Sequence, residues 1–308
     1  MEHKPYSKIE NGLKRLEGKE YISDSTIDFF RDIVRAQYKV KDQLKGEENT
    51  SSLTEEMAKD KLQKGIPLVS WKDIPFKESS LKALFEEICE IMRKQEGSED
   101  AAIERLVNAE GDGTLELTTL TRKLFIQDNL CFQSLSRTLN VGEDLLVYIA
   151  LQLAKPFVEV VAENLREKVV DDLWLRHCCP VCGSSAQIAR LEKEVGKKIL
   201  CCLLCGSEWR FMRVKCPFCC NEEQKTLKFI EEEKGPYRID ICERCKRYIK
   251  TLDERKGGGD RGEAISSIED LATMYLDIVA EKEGYVRSWF FPPSVDQLRG
   301  DGESKTIH

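Results

Sequence analysis

Cys179-Pro-Val-Cys182, Cys202-Leu-Leu-Cys205, Cys216-Pro-Phe-Cys219 and Cys242-Glu-Arg-Cys245 are four cysteine pairs at one spacing, all within 67 residues. A Cys-x-x-Cys turn aims two thiolates at one point, and two such turns complete a tetrahedral shell of four sulfurs, which suits zinc or iron. Eight ligands make two complete sites. The expected cofactors are therefore two metal ions, iron or zinc, one per four-cysteine site.

Which pairs share an ion is a question of chain geometry. Sequential pairing closes gaps of 19 and 22 intervening residues, and crossed pairing closes gaps of 33 and 36. Loop entropy separates the two schemes by only about 1 kcal/mol. The local pattern favours sequential pairing, because each gap reads as a hairpin. Tyr237, Ile239 and Ile241 alternate with Arg238 and Asp240 into the last pair, and Lys234-Gly235-Pro236 turns the chain back from Thr226-Leu-Lys-Phe-Ile. Two rubredoxin-like ribbons in tandem follow, with crossed pairing as the open alternative.

Thirteen cysteines would suit a secreted disulfide scaffold, yet eleven lie between Cys178 and Cys245, an odd number in metal-type spacing, and the start Met1-Glu-His-Lys-Pro-Tyr has no apolar signal core. Reduced thiolates in a cytoplasmic protein fit better. A chain of 308 residues, 41% hydrophobic and 33% charged, has globular composition and room for more than one domain. The longest apolar run, from Leu145 to Val161, is interrupted by Gln152, Lys155, Pro156 and Glu159.

Net charge is −7, which argues against a dedicated nucleic-acid binder. From Arg176 to Lys256 there are 18 Lys and Arg against 12 Asp and Glu, formally +6. Each divalent ion with four thiolates adds −2, so two sites bring this region to about +2. Its basic residues mostly balance the sulfur cages and can hydrogen-bond the thiolates.

Ahead of the cysteines the pattern is helical. Ile9, Leu13 and Leu16 mark a short amphipathic segment, and Ser23-Asp-Ser opens a helix with Ile27, Phe30, Ile33, Val34 and Tyr38 in one stripe. Residues 45–64 are polar and read as a linker or solvated helix. Leu81, Leu84, Phe85, Ile88 and Met92 line another helix, with Cys89 beside the stripe; Cys89 and Cys131 read as small core residues. Helical patterns continue over 101–109, 115–127 and 132–139, with Gly111-Asp-Gly113 as a turn. Leu145 onward is the most apolar helix, with a kink expected at Pro156. Beyond the ribbons, the glycine-rich 255–262 reads as a connector, Ser266 to Glu283 as a last helix with Ile268, Leu271, Met274, Tyr275 and Ile278 inward, and the chain past Pro293 as a tail.

The expected fold class is α+β: an N-terminal all-helical domain (1–172), a first four-cysteine ribbon (173–213), a second (214–256), and a connector, C-terminal helix and tail (257–308). Cys178, Cys201 and Cys220 adjoin ligand cysteines without completing a Cys-x-x-Cys turn and read as spare thiols. His177 is an unneeded ligand, and the other histidines, His3 and His308, lie at the ends, so no histidine-based catalytic set is proposed. Glu208-Trp209 with Arg213 reads as inter-ribbon packing with one salt bridge, or, if exposed, as a hot spot for a protein partner.

The region from Cys179 to Tyr285 resembles the formate dehydrogenase accessory protein family, FdhE. The resemblance lies in Cys179-Pro-Val-Cys182-Gly-Ser, Cys202-Leu-Leu-Cys205 running into Glu208-Trp209, Arg238-x-Asp240-x-Cys242-x-x-Cys245, Tyr248-Ile-Lys-Thr-Leu-Asp253, and Asp270-Leu-Ala-Thr-Met-Tyr-Leu-Asp277 ahead of Glu283-Gly284-Tyr285. Ser207 stands where the family often has Thr, and Cys178, Cys201 and Cys220 are outside its pattern. The resemblance implies a helical domain joined to two rubredoxin-like modules that bind iron or zinc. It also implies a non-enzymatic cytoplasmic assembly role, engaging the catalytic subunit of a molybdenum- or tungsten-dependent formate dehydrogenase.

The main alternative is rubredoxin-like electron transfer or redox sensing by iron at the four-cysteine sites. Nucleic-acid binding through Arg244, Lys246, Arg247 and Lys250 near Tyr248 is opposed by the thiolate charge, and a disulfide oxidoreductase would need free pairs.

Overall fold

A computed structural model describes residues 4–45, 53–126, 128–233, 235–256 and 266–287. Most of the expected connector at 255–262, the tail past Pro293, His3, His308 and Lys234 of the hairpin turn lie outside the described residues.

The first half is helical: α1 (Lys4–Lys14), α2 (Asp24–Lys45), α3 (Glu55–Lys64), α4 (Glu78–Arg93), α5 (Asp100–Gly111), α6 (Leu117–Phe125), α7 (Asn129–Leu139) and α8 (Glu143–Glu163). Ser23 caps α2, its hydroxyl accepting from the Thr26 N–H at 3.1 Å. Thr54 caps α3 in the same way at 3.2 Å, and Gly65, in the left-handed conformation at φ 72°, ends it. The stretch expected as linker or solvated helix thus contains a docked one, since α3 buries Ala58 and Leu62. Cys89 lies in the core as expected, whereas Cys131 is only half-buried.

Helix α8 is the centre of the bundle, with α2, α4, α6 and α7 packed around it. Leu146, Ile149, Leu153 and Phe157 are all buried along it. Among the described residues it is the one helix long and apolar enough to cross a membrane, and most of it is buried inside the fold. Pro156 does not end the helix. Proline lacks the N–H that would bond the carbonyl four residues back, which belongs to Gln152. Buried Gln37 of α2 supplies that donor: its Nε2 lies 3.1 Å from the Gln152 carbonyl and 2.9 Å from the Gln152 Oε1.

The second half holds β1 (Ala186–Leu191), β2 (Lys198–Cys202), β3 (Glu208–Phe211), β4 (Leu227–Glu231), β5 (Tyr237–Cys242) and β6 (Arg247–Asp253). Each trio is an antiparallel meander, one per ribbon. The ribbons are not separate beads. Strands β1 and β6 pair in parallel, Ala189 beside Thr251 and Leu191 beside Asp253, which gives one continuous sheet in the order β3-β2-β1-β6-β5-β4. The short β7 (Val286–Arg287) pairs with the other end of β6.

The last helix is two helices, α9 (Ser266–Ala272) and α10 (Met274–Lys282). Between them Thr273 leaves helical geometry, with φ −117° and ψ 25°, and its hydroxyl donates to the Glu269 carbonyl at 2.7 Å. The break changes the helical phase. Ile268 and Leu271 point inward as expected, but beyond Thr273 it is Leu276 and Ala280 that are buried, while Met274 and Ile278 are 45% and 55% exposed.

Candidate metal centres

All four Cys-x-x-Cys turns share one backbone design. The residue after the second cysteine takes the left-handed conformation: Gly183 at φ 77°, Gly206 at 65°, Cys220 at 56° and Lys246 at 55°. Its N–H returns to the carbonyl of the first cysteine of its pair, at 2.9, 3.2, 3.1 and 2.9 Å in that order. The first ribbon fills this position with glycine, for which the conformation carries no steric penalty, and the second uses side-chain residues. Cys220 is thereby accounted for as the fifth residue of the turn rather than a displaced ligand.

Sequential pairing is the arrangement observed. Cys179, Cys182, Cys202 and Cys205 form one group and Cys216, Cys219, Cys242 and Cys245 the other, with the sulfurs of each group within 4.8 Å of one another. In the first group Cys179 and Cys205 sulfurs are 3.6 Å apart and Cys182 lies 3.5 Å from both Cys202 and Cys205. In the second, Cys216 to Cys245 and Cys219 to Cys242 are each 3.7 Å. Both are four-cysteine clusters capable of binding a metal ion.

The electrostatics suit a cation. Burial pushes the Cys179 and Cys182 thiols well above their ordinary range. Burial pushes Cys202 the same way, but hydrogen bonds from Cys179, Cys182 and Cys205 reverse it and hold it well below. Four sulfurs this close cannot all ionise without a positive ion among them. Backbone N–H groups already aim at them: Leu204 and Cys205 at Cys202 Sγ, each 3.4 Å, and Phe218 at Cys216 Sγ, 3.4 Å. Such donors stabilise thiolate ligands.

The two cages differ in setting. The first is sealed between the helices and the sheet. Leu68 and Val69 donate from their backbone to the Pro180 and Val181 carbonyls at 2.9 and 2.8 Å, and Arg166 Nη2 donates to the Cys205 carbonyl at 2.5 Å. Trp174 Nε1 and Trp209 Nε1 donate to the Cys178 and Arg176 carbonyls at 2.8 and 2.9 Å. The second cage is more open, with Cys219 and Cys245 half-buried.

The neighbouring residues fall out as follows. Cys178 and Cys201 are buried, and burial pushes Cys178 up to about 11 and Cys201 well above its ordinary value. Cys220 is exposed, its sulfur 3.4 Å from His177 Nδ1, and neither joins a cage. Trp209 is 1% exposed, so it is core rather than a hot spot, and Glu208 pairs with Arg190 at 2.8 Å instead of Arg213. The basic cluster considered for nucleic acid is largely spent internally: Lys250 is 1% exposed and pairs with Asp270 and Asp277 at 2.9 and 2.7 Å, and Lys246 pairs with Glu243.

That pairing belongs to a buried polar cluster which sequence reasoning missed. Asp270 and Asp277 also receive Arg287, Tyr248 Oη donates to Asp277 at 2.7 Å, and Gln187 Nε2 donates to Asp270 at 2.9 Å. It ties α9 and α10 to β6, β7 and the start of β1. Asp270 stands on α9 and Asp277 on α10, so the break at Thr273 is what lets both carboxylates meet Lys250, and no helical spacing in the sequence announces it.

The fold and the two cages define a protein of the paired-ribbon class, with two four-cysteine clusters capable of binding metal ions, built on an α-helical support. A family model described as FdhE, C-terminal domain, matches residues 214–292. The chain is 30% identical over 222 residues to a protein FdhE homolog of Haemophilus influenzae, covering 70% of this chain and 68% of that one. It is likewise 30% identical over 151 residues to a protein FdhE homolog of Aquifex aeolicus, a match spanning 48% of this chain and about half, 51%, of that relative. The crystal structure of the FdhE protein from Pseudomonas aeruginosa superposes with a TM-score of 0.61 at 23% identity, covering 94% of each chain, and shows the same fold. The chain belongs to the FdhE family.

Proposed function

We propose that Cys179, Cys182, Cys202 and Cys205 hold one metal ion and Cys216, Cys219, Cys242 and Cys245 a second, each iron or zinc. In this reading residues 1–172 are the helical support and 173–213 and 214–256 the two ribbons. The stiffened ribbon module engages the catalytic subunit of formate dehydrogenase in the cytoplasm, as an accessory factor rather than an enzyme.

The observation that carries this is the closed donor set on a joined sheet. A shell of four cysteines leaves no open position for substrate or water, so the ion supplies rigidity, with folding energy on the order of 10 kcal/mol, rather than Lewis acidity. Parallel pairing of β1 with β6 makes both cages parts of one body. A rigid surface of this kind suits recognition of another polypeptide.

The test is co-purification of the tagged full-length chain with a formate dehydrogenase catalytic subunit, with elemental analysis of anaerobically prepared protein. Two ions per chain and the subunit in the eluate are expected. A natively folded metal-free chain, or an eluate without the subunit, counts against the reading. A second reading, electron transfer by iron, is favoured by the half-buried Cys219 and Cys245 of the second cage. It requires visible ferric-thiolate absorption that bleaches on reduction, and a colourless zinc protein removes it.

A further inference from the structure

Beside the second cage, between the Cys216–Cys219 turn and strands β4 and β5, lies a groove of about 200 Å³. Six cations line it, Lys198, Arg213, Lys215, Lys228, Arg238 and Arg247, against the single carboxylate of Asp240. The lysines are engaged: Lys198 with Asp240 at 2.8 Å, Lys215 with Glu222 at 2.7 Å and Lys228 with Glu243 at 2.9 Å. Two of the three arginines are not. Arg213 and Arg247 have no carboxylate partner among the described residues. Arg238, 8% exposed, lies with Nε 2.8 Å from Asp240 but out of line, so that this buried N–H has no hydrogen-bond acceptor. Its guanidinium stacks over Phe229 at 4.9 Å.

Two guanidinium groups without a carboxylate partner among the described residues, in a chain whose net charge is −7, are a localised demand for anions. The size of the groove decides between occupants. Small-molecule sites run to roughly 300 Å³ or more, so this one takes a side chain or two rather than a whole nucleotide. Its walls include Phe218, Leu227 and the 55% exposed Phe229, which suit an apolar anchor. Among the described residues strand β4 is the last strand on its side of the sheet, and an outer backbone edge of this kind can receive an extended segment alongside.

We infer that the groove docks an acidic segment of a partner polypeptide, with an apolar side chain against Phe229 and flanking carboxylates on Arg213 and Arg247. This deepens the proposed function and rests on its premise that the ribbon module binds a protein.

The experiment uses the full-length, metal-loaded chain and a fluorescein-labelled peptide in which one phenylalanine is flanked on both sides by glutamates. Anisotropy should report binding that weakens with salt and falls about tenfold or more in Arg213→Glu/Arg247→Glu, at unchanged metal content. Arg213→Lys/Arg247→Lys should keep part of it. Wild-type peptide affinity in the charge-reversed protein overturns the inference, as does failure of the wild type to bind the peptide. It is equally overturned if a labelled single-stranded oligonucleotide or inorganic phosphate binds with this arginine dependence and the peptide does not. Failure to capture the catalytic subunit with peptide binding intact sinks the accessory reading and leaves the groove standing; loss of peptide binding with capture intact does the reverse.

Discussion

Lys198 of β2 and Asp240 of β5 are paired at 2.8 Å across the two strands that separate them in the sheet, with the lysine side chain 3% exposed. Asp240 also accepts from the Thr251 hydroxyl at 3.0 Å. The pair locks one ribbon to the other from the buried side. Asp240→Asn strands the buried Lys198 charge and should cost about 3–5 kcal/mol, whereas Lys198→Met leaves Asp240 its Arg238 contact at 2.8 Å and should cost less. Replacing both with apolar residues should cost less than the sum, which a double-mutant cycle by denaturant unfolding checks.

The Gln37 and Pro156 arrangement makes a rescue prediction. Gln37→Leu leaves the Gln152 carbonyl buried without its donor and should cost about 1–3 kcal/mol. Adding Pro156→Ala restores a backbone N–H four residues on, so the double variant should recover most of that loss. A double variant no better than Gln37→Leu alone means that the donor has no energetic role.

Cys220 and Gly183 occupy equivalent positions in their turns, so swapping their chemistry should have opposite effects. Cys220→Gly removes a left-handed side-chain residue and should stabilise the second ribbon by about 1 kcal/mol. Gly183→Ala should destabilise the first, because its Cβ would also lie 3.1 Å from Pro67 Cγ. Thermal unfolding of both variants reads the two signs.

Asp270 sets an acid limit. Burial favours its protonation, but Arg287 and Lys250 outweigh that and hold its carboxyl below the ordinary range. A depressed carboxylate contributes stability that is complete above its unfolded value, about 3.9, and is lost as pH falls through the folded value. The stability gap between wild type and Asp270→Asn should therefore be constant above about pH 4 and narrow below it. Urea midpoints across the acid range measure it, and a gap independent of pH would falsify the assignment.

Metal removal should resolve the cages in time. The second exposes Cys219 and Cys245 in part and all four cysteines of the first are buried, so a chelator should extract one ion fast and the other slowly. The fast phase should leave helical circular dichroism intact. The slow phase should coincide with its loss, since the hydrogen bonds from Leu68, Val69 and Arg166 tie the turns of the first cage to the helical half.

What was legible in the residues was local. Cys-x-x-Cys spacing, the alternation into Cys242 and the apolar run from Leu145 each depend on neighbours in the chain, and ligand grouping and the central helix followed from them. What was not legible depended on distant partners. Nothing near Trp209 announces that Arg176 will take its indole N–H, and Lys250 resembles a surface cation until Asp270 and Asp277 close over it. The break at Thr273 was hidden because threonine is tolerated inside helices, and only its bond back to the Glu269 carbonyl marks the fold point.

The parallel seam between β1 and β6 has a consequence for biogenesis. The first meander is translated complete, yet the flank of β1 that receives Thr251 to Asp253 has no neighbour until the second meander has left the ribosome. During that interval a bare strand flank is open to pairing with other nascent chains. In the proposed reading, ion capture by the second cage, by ordering β6, is also the event that shields the earlier-made half from aggregation.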